Sequence, residues 1–284
     1  MSSKVTRFAP TPSGFLHLGN LYSFLVTKAL AKQKNSKILL RIDDMDHERV
    51  RDEYIQDIFD TLEFMDLEYD LGPKNLEDFK SNWSQKVRLE NYKEAIARLI
   101  QEAKVFACDC SRKTIKERAP DGYYDGFCLD RNLPLDQPET CLRLKISGYQ
   151  SAYGPTEPYP IIRKKDRFPA YHLCSLIDDF EFSVNMIIRG SDLLSSTATQ
   201  AGIASSLGKG EEFEATEIIH HDILLDEKGE KLAKSVGALS IQSIRKEGKN
   251  PSDLFMILSK MLQWPTAVDN FEDFSNEVTK KMAT

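Results

Sequence analysis

The sequence predicts an α/β protein built on an open parallel sheet. Three stretches carry that prediction: VTRFA with a Gly/Pro loop and a helical pattern behind it, the apolar run KILLRID, and VNMIIRG followed by a second helical pattern. Short apolar strands alternating with helical segments are the mark of a parallel sheet covered on both faces. Ligands of such sheets bind outside the carboxyl ends of the strands, so residues at those ends are the functional candidates.

Composition narrows the class. The 284 residues are ample for a sizeable core, as one large domain or two small ones. Hydrophobic residues make up 41%, yet no apolar run reaches membrane-spanning length, and MSSKVTRFAP lacks the apolar centre of a signal peptide. Five cysteines without a secretory signal argue for a reducing, cytoplasmic setting and against a disulfide framework. A net charge of −6 does not mark a general nucleic-acid binder, although a local basic face would suffice. The basic clusters 112–118, 163–167 and 228–234 each read singly as solvated surface.

Val5 to Ala9 reads as a short buried strand, and Pro10 to Gly14 break the chain into a loop. From His17 the pattern turns helical, with Leu18, Leu21, Leu25 and Ala29 three and four residues apart. The first N–H groups of such a helix lack internal partners and favour phosphate. His17 and Asn20 carry side chains able to hydrogen-bond phosphate oxygens, and Gly19 lets a nucleotide lie against the backbone. For HLGN alone an ordinary βα turn is an equal alternative. The longer stretch RFAPTPSGFLHLGN resembles the signature of class I aminoacyl-tRNA synthetases, in their glutamyl branch, with Asn20 replacing the last His of the HIGH motif. The resemblance implies a Rossmann-type catalytic domain. It also implies ATP held by His17, Gly19 and Asn20, His17 acting in catalysis, and Ala9 and Thr11 beside the amino acid.

KILLRID reads as a buried strand ending at Asp43. Arg7 and Asp43 would then face one crevice and grip the two charges of an amino acid. The alternatives are that they pair with each other, or that Asp43, Asp44 and Asp46 open a turn. RIDDMD resembles the RIEDTD of glutamyl-tRNA synthetases, which implies that Asp43 contacts the substrate ammonium. Asp43 is one methylene shorter than that Glu, as in glutaminyl and archaeal-type glutamyl synthetases. Tyr54–Met65 and 87–103 read as amphipathic helices, with LGPKNLEDFKSNWSQK as a polar loop between them and Trp83 in a packing role.

In the following segment Cys108, Cys110 and Cys128 suggest a metal. Soft thiolates favour tetrahedral Zn²⁺, and a structural site wants a fourth ligand. Spacing offers Tyr124, Asp125 or Asp130, and three reduced packing cysteines are the alternative reading. C-x-C with Y-x-x-x-C resembles the zinc knuckle of shortened glutamyl-synthetase relatives, which implies Tyr124. Cys141 and Cys174 lie in apolar runs and read as inert. CLRLKIS alternates as a half-buried strand, and GYQSAYGPTEPYP closes the insert.

Tyr171 starts the next helix, VNMIIRG is a buried strand ending at Arg189, and Ser195 or Ser196 caps a helix that stops at Gly208. Arg189 thus joins Arg7 and Asp43 at strand ends. Two arginines suit a dicarboxylate, so glutamate or aspartate better than glutamine. The segment resembles the family pattern P-x-Y…VDD…V-x-RG-x-DLL-x-ST, which implies that Tyr171 and Arg189 bind glutamate. SSTATQ departs from the family's STPRQ.

LLDEKGEKLAKS resembles the KMSKS loop, implying Lys231 and Lys234 at ATP, with Lys234 acting on the triphosphate in catalysis. Asn250-Pro251 opens a helix with Leu254, Phe255, Leu258 and Leu262 inward. The expected organisation is 1–104 and 161–225 as two halves of a Rossmann domain, 105–160 as a zinc-binding insert, and 226–284 as the KMSKS-like loop and C-terminal helices. No anticodon-binding domain is expected. The chain as a whole resembles the shortened branch, the glutamyl-queuosine tRNA(Asp) synthetases. It implies a ligase using L-glutamate, ATP and Mg²⁺, with tRNA(Asp) as acceptor and no membrane partner, and a monomer is expected. A discrete glutamyl-tRNA synthetase charging tRNA(Glu) is one alternative. A non-catalytic relative that binds RNA or nucleotide is another, favoured by KLAKS and Asp43.

Overall fold

A computed structural model describes residues 4–119, 123–146, 148–225 and 240–282. The KLAKS stretch with Lys231 and Lys234 therefore lies outside the described residues. In chain order the elements are β1 (Val5–Phe8), α1 (Leu18–Lys34), β2 (Lys37–Leu40), α2 (Asp52–Phe64), the single turn α3 (Leu76–Asp78), α4 (Leu89–Gln101), β3 (Val105–Cys108) and α5 (Arg112–Arg118). There follow β4 (Cys141–Leu144), β5 (Ile161–Arg163), α6 (Tyr171–Glu181), β6 (Met186–Gly190), α7 (Leu194–Ser206), α8 (Gly210–Glu214), β7 (Glu217–His221), α9 (Ile241–Lys246), α10 (Pro251–Met261) and α11 (Phe271–Met282). The chain forms two compact units. One is Met1–Ser84 with Val184–Asp192 and Glu217–Thr284; the other is Gln85–Ser183 with Leu193–Thr216.

The first unit holds the parallel strands. β1 pairs with β2 from Val5↔Lys37 to Phe8↔Leu40, and β6 pairs with β7 from Met186↔Glu217 to Gly190↔His221. The start of β6 is joined to β1, because the Asn185 amide donates to Val5 O (3.1 Å) and the Val5 amide to Asn185 Oδ1 (2.9 Å). Leu21, Leu25 and Leu30 of α1 are buried with Leu40, Met186, Leu254, Leu258 and Phe274 in one core. Each such side chain contributes about 1.5–3 kcal/mol. Asn250 caps α10 in a reciprocal box with Asp253, and Pro251 stands at its first turn. The stretch expected to be a polar loop instead forms α3, a wide turn at Phe79–Trp83 and a tight turn at Gln85–Arg88. Phe79 is fully buried in the core, which is why this segment winds rather than loops.

The second unit holds an antiparallel sheet in the order β3-β4-β5. Here β4 is buried throughout, not half-buried as its alternation predicts. It is the central strand, and Arg143 is accommodated inside: its Nη1 donates to Tyr159 O (2.7 Å) and its guanidinium lies 3.9 Å from the Tyr124 ring centroid. Neither Ser195 nor Ser196 caps α7; the cap position is Leu193, with no side-chain bond. Asp178 of α6, wholly buried, accepts from Gln85 Nε2 (2.9 Å), Arg88 Nε (2.9 Å) and Tyr92 Oη (2.6 Å), tying α6 to α4.

Candidate active site

At the carboxyl ends of β1 and β2 the ladder runs on beyond the strands. Arg41 N donates to Phe8 O and Asp43 N to Pro10 O, both at 2.9 Å. Asp43 is therefore pinned beside the Ala9–Thr11 loop. Its carboxylate is gripped by Arg41, Nε to Oδ1 at 2.7 Å and Nη2 to Oδ2 at 3.2 Å. Neither alternative weighed from the sequence foresaw that partner. Asp44 and Asp46 have partners of their own, Ser84 Oγ and Arg49. The signal was present: an arginine inside an apolar strand needs a buried anion, and residues two apart share a face.

Arg7 is buried, and its Nη1 donates to Ile188 O at 3.3 Å. It thus reaches the residue before Arg189. The unit brings Arg7, Asp43 and Arg189 to the same carboxyl-end region of its strands. Tyr171 belongs to the second unit, as the exposed first residue of α6.

His17 and Asn20 have local duties. His17 caps α1, its Nδ1 accepting from Gly19 N (3.1 Å), while Asn20 Oδ1 accepts from His17 N (3.1 Å). A Cβ on Gly19 would come within 2.9 Å of the His17 ring, so the glycine first makes room for that ring. The ring is thereby held in one orientation.

Two histidines at the end of β7 escaped the sequence reading, although IIHHD marks a strand end. His220 is the register partner of Arg189, and registered partners share a face of the sheet. Burial and the Arg189 charge push His220 below the usual histidine range. His221 turns the other way, to α1. Its Nδ1 lies 2.8 Å from Asp222 O and its Nε2 3.1 Å from Ser23 Oγ. The Asp222 carbonyl only accepts, so Nδ1 carries the proton and Nε2 accepts from Ser23. Burial pushes His221 down too.

In the second unit, the sulfurs of Cys108, Cys110 and Cys128 lie within 4.8 Å of one another, with Cys110 and Cys128 3.5 Å apart. Zn–S bonds of about 2.3 Å in a tetrahedron put sulfurs roughly 3.8 Å apart, so the donor set fits that ion. Tyr124 Oη lies 4.0 Å from the Cys110 sulfur. Burial, with the neighbouring thiols, pushes the Tyr124 phenol up, so only a cation's own charge would make it a phenolate. The sequence reading missed two arginines here. Arg118 and Arg131 each place a nitrogen 3.3 Å from a cluster sulfur, Cys110 and Cys128 respectively. The neighbouring Cys141 thiol outweighs burial and pulls the Cys108 thiol below the usual thiol range.

A family model described as tRNA synthetases class I (E and Q), catalytic domain, matches residues 4–123 and 137–283. The chain is 30% identical to a Glutamyl-Q tRNA(Asp) synthetase of Rhodobacter capsulatus, over 88% of this chain and 98% of that protein. It is 32% identical to one of Prochlorococcus marinus, over 96% and 84%. Against a glutamate–tRNA ligase of Thermodesulfovibrio yellowstonii the identity is 29%, over 90% of this chain but 56% of the other. Among solved structures, a glutamate tRNA ligase from Elizabethkingia meningosepticum superposes with a TM-score of 0.65 at 21% identity, the match covering 88% of this chain and 54% of that one. That likeness establishes an α/β fold of the class I type. Among the described residues no helix is long and apolar enough to cross a membrane.

Proposed function

The chain belongs to the class I (E and Q) tRNA synthetase family, and from that premise we propose that it is a ligase that activates L-glutamate with ATP and passes it to queuosine in the anticodon of tRNA(Asp). The observation that supports glutamate most directly is the bond from Arg7 to Ile188 O, which sets two arginine-bearing strand ends side by side. In this reading Arg7 and Arg189 take the two carboxylates and Asp43 the ammonium, with Ala9, Thr11 and Tyr171 lining the amino acid. His17, Gly19, Asn20, Lys231 and Lys234 hold ATP, with Mg²⁺ offsetting phosphate charge. Relatives matched along most of their own length carry the glutamyl-Q name, which supports tRNA(Asp) over tRNA(Glu).

The α-carboxylate oxygen attacks the α-phosphorus, and the bond to pyrophosphate breaks. An acceptor hydroxyl then attacks the acyl carbon of glutamyl-adenylate and AMP leaves. No covalent enzyme intermediate is needed, so the chain's work is orientation and charge stabilisation. Buried Arg7 is pre-set by its backbone contact, and the His17 ring by its capping bonds. Cys108, Cys110, Cys128 and Tyr124 would hold one structural Zn²⁺ that organises the insert.

The test is glutamate-dependent ATP–pyrophosphate exchange, then transfer of labelled glutamate to tRNA(Asp) with and without queuosine, beside tRNA(Glu). Exchange with transfer only to the queuosine-bearing RNA is expected. No exchange would refute activation, and charging of tRNA(Glu) alone would refute the acceptor.

A further inference from the structure

Asp57 lies on α2 and has none of the roles assigned above, yet its carboxylate is wholly buried. Oδ2 accepts from Leu16 N at 2.9 Å, and Oδ1 accepts from Arg245 Nη2 of α9 at 2.8 Å. Leu16 immediately precedes His17. Its other backbone polar atom is engaged as well: Leu16 O accepts from Ile241 N at 2.8 Å. His17 and Ser240 form an antiparallel bridge beside it. Ser240 is the first described residue after the KLAKS stretch, and it caps α9 through Ser243 N at 3.0 Å. One carboxylate therefore joins the turn that orients His17 to the helix that follows Lys231 and Lys234.

We propose that Asp57 is a positioning residue for adenylate formation, holding the HLGN turn and the chain at Ser240 in one register. The inference rests on reading the chain as an adenylating enzyme. Burial favours the protonated acid, while the Leu16 amide and Arg245 favour the carboxylate, so the ion depends on both partners. Freeing either one leaves a buried charge poorly paired and lets Leu16 shift. A displacement of about 1 Å at reacting groups costs on the order of a hundredfold in rate. Glutamate's proposed contacts Arg7, Asp43 and Arg189 lie on or just beyond β1, β2 and β6, not on α2 or α9, so amino-acid binding should be spared.

The experiment compares wild type with Asp57→Asn, Arg245→Gln and the double variant in glutamate-dependent pyrophosphate exchange. Active molecules are counted by adenylate burst, and ATP and glutamate binding by calorimetry. Asp57→Asn keeps an acceptor for Leu16 N but loses the charge that holds Arg245. Each single variant should lose about tenfold to a hundredfold in kcat per active molecule, with glutamate affinity within about twofold. The double variant should be no worse than the worse single one, since both break one contact. Should Asp57→Asn fail to fold, the partly exposed Arg245→Gln decides. Wild-type turnover per active molecule in Arg245→Gln overturns the proposal, as does an equal loss of glutamate binding. Absence of exchange in wild type instead overturns the glutamate-activating reading, and ATP binding alone then tests the clamp: unchanged ATP affinity in both variants would defeat it.

Discussion

Arg41 holds the Asp43 carboxylate with two hydrogen bonds, at 2.7 and 3.2 Å, between side chains only 2% and 1% exposed. An Asp assigned to a substrate ammonium is thus oriented by a neighbour two residues earlier. A carboxylate so buried keeps its charge only while a cation is near. Arg41→Ala should destabilise the protein by about 3–5 kcal/mol, read from urea unfolding, because it removes two charge-assisted bonds from a buried carboxylate. A loss below about 1 kcal/mol would mean that the pair is not what stabilises this end of the sheet.

Amino-acid choice follows from Arg7 and Arg189. Glutamine offers a neutral amide where glutamate has its second carboxylate, leaving one arginine poorly paired. A charge-assisted bond is worth roughly 1.5–3 kcal/mol against about 1 for a neutral one. Glutamate should be preferred by at least about tenfold in pyrophosphate exchange. Arg189→Gln should narrow that ratio more than it weakens ATP. Equal activation of glutamine by wild type would defeat the two-arginine assignment.

The thiolate cluster predicts one zinc per chain by elemental analysis. Cys110→Ser should abolish that zinc and lower the melting temperature of the insert. Cys174→Ser should leave the metal in place, since Cys174 is buried outside the cluster. Arg118→Ala should raise the rate of zinc loss to a chelator, because Arg118 hydrogen-bonds the Cys110 sulfur. Protein purified in metal-supplemented buffer that carries no zinc would count against the site.

His221 predicts a pH dependence of stability. Its folded pKa lies below the unfolded value of about 6.5, so the unfolded chain binds the extra proton first. Stability should be full above about pH 6.5 and fall as pH drops from there through the folded value. His220, lowered by burial and by Arg189, acts in the same direction. Melting curves across this range should slope less in His221→Gln than in wild type. An unchanged slope would assign the effect to His220.

Short-range information in the chain already determined much of this protein. Apolar runs and three-to-four spacing marked β1, β6, α1 and α10 to within a residue or two, and β2 from its first residue although it ends three residues before Asp43, because strand and helix periods are local. Cysteines two residues apart, with a third on a nearby loop, were legible as one cluster, and their sulfurs do lie together. The motifs at Arg7, Asp43 and Arg189 were legible as strand-end residues for the same reason.

Partners were decided only by tertiary structure. Asp57 reads as one polar residue of an amphipathic helix, yet it bonds Leu16, 41 residues away, and Arg245, 188 residues away. The face of β4 was misjudged because alternation records side-chain type, and a central strand can bury an Arg once Tyr159 O and the Tyr124 ring receive it. His221 became a neutral, buried acceptor only when β7 was laid beside α1. In each case the deciding quantity is the desolvation of a polar group. That is set by which distant segment closes over it, and no local period in the sequence encodes it.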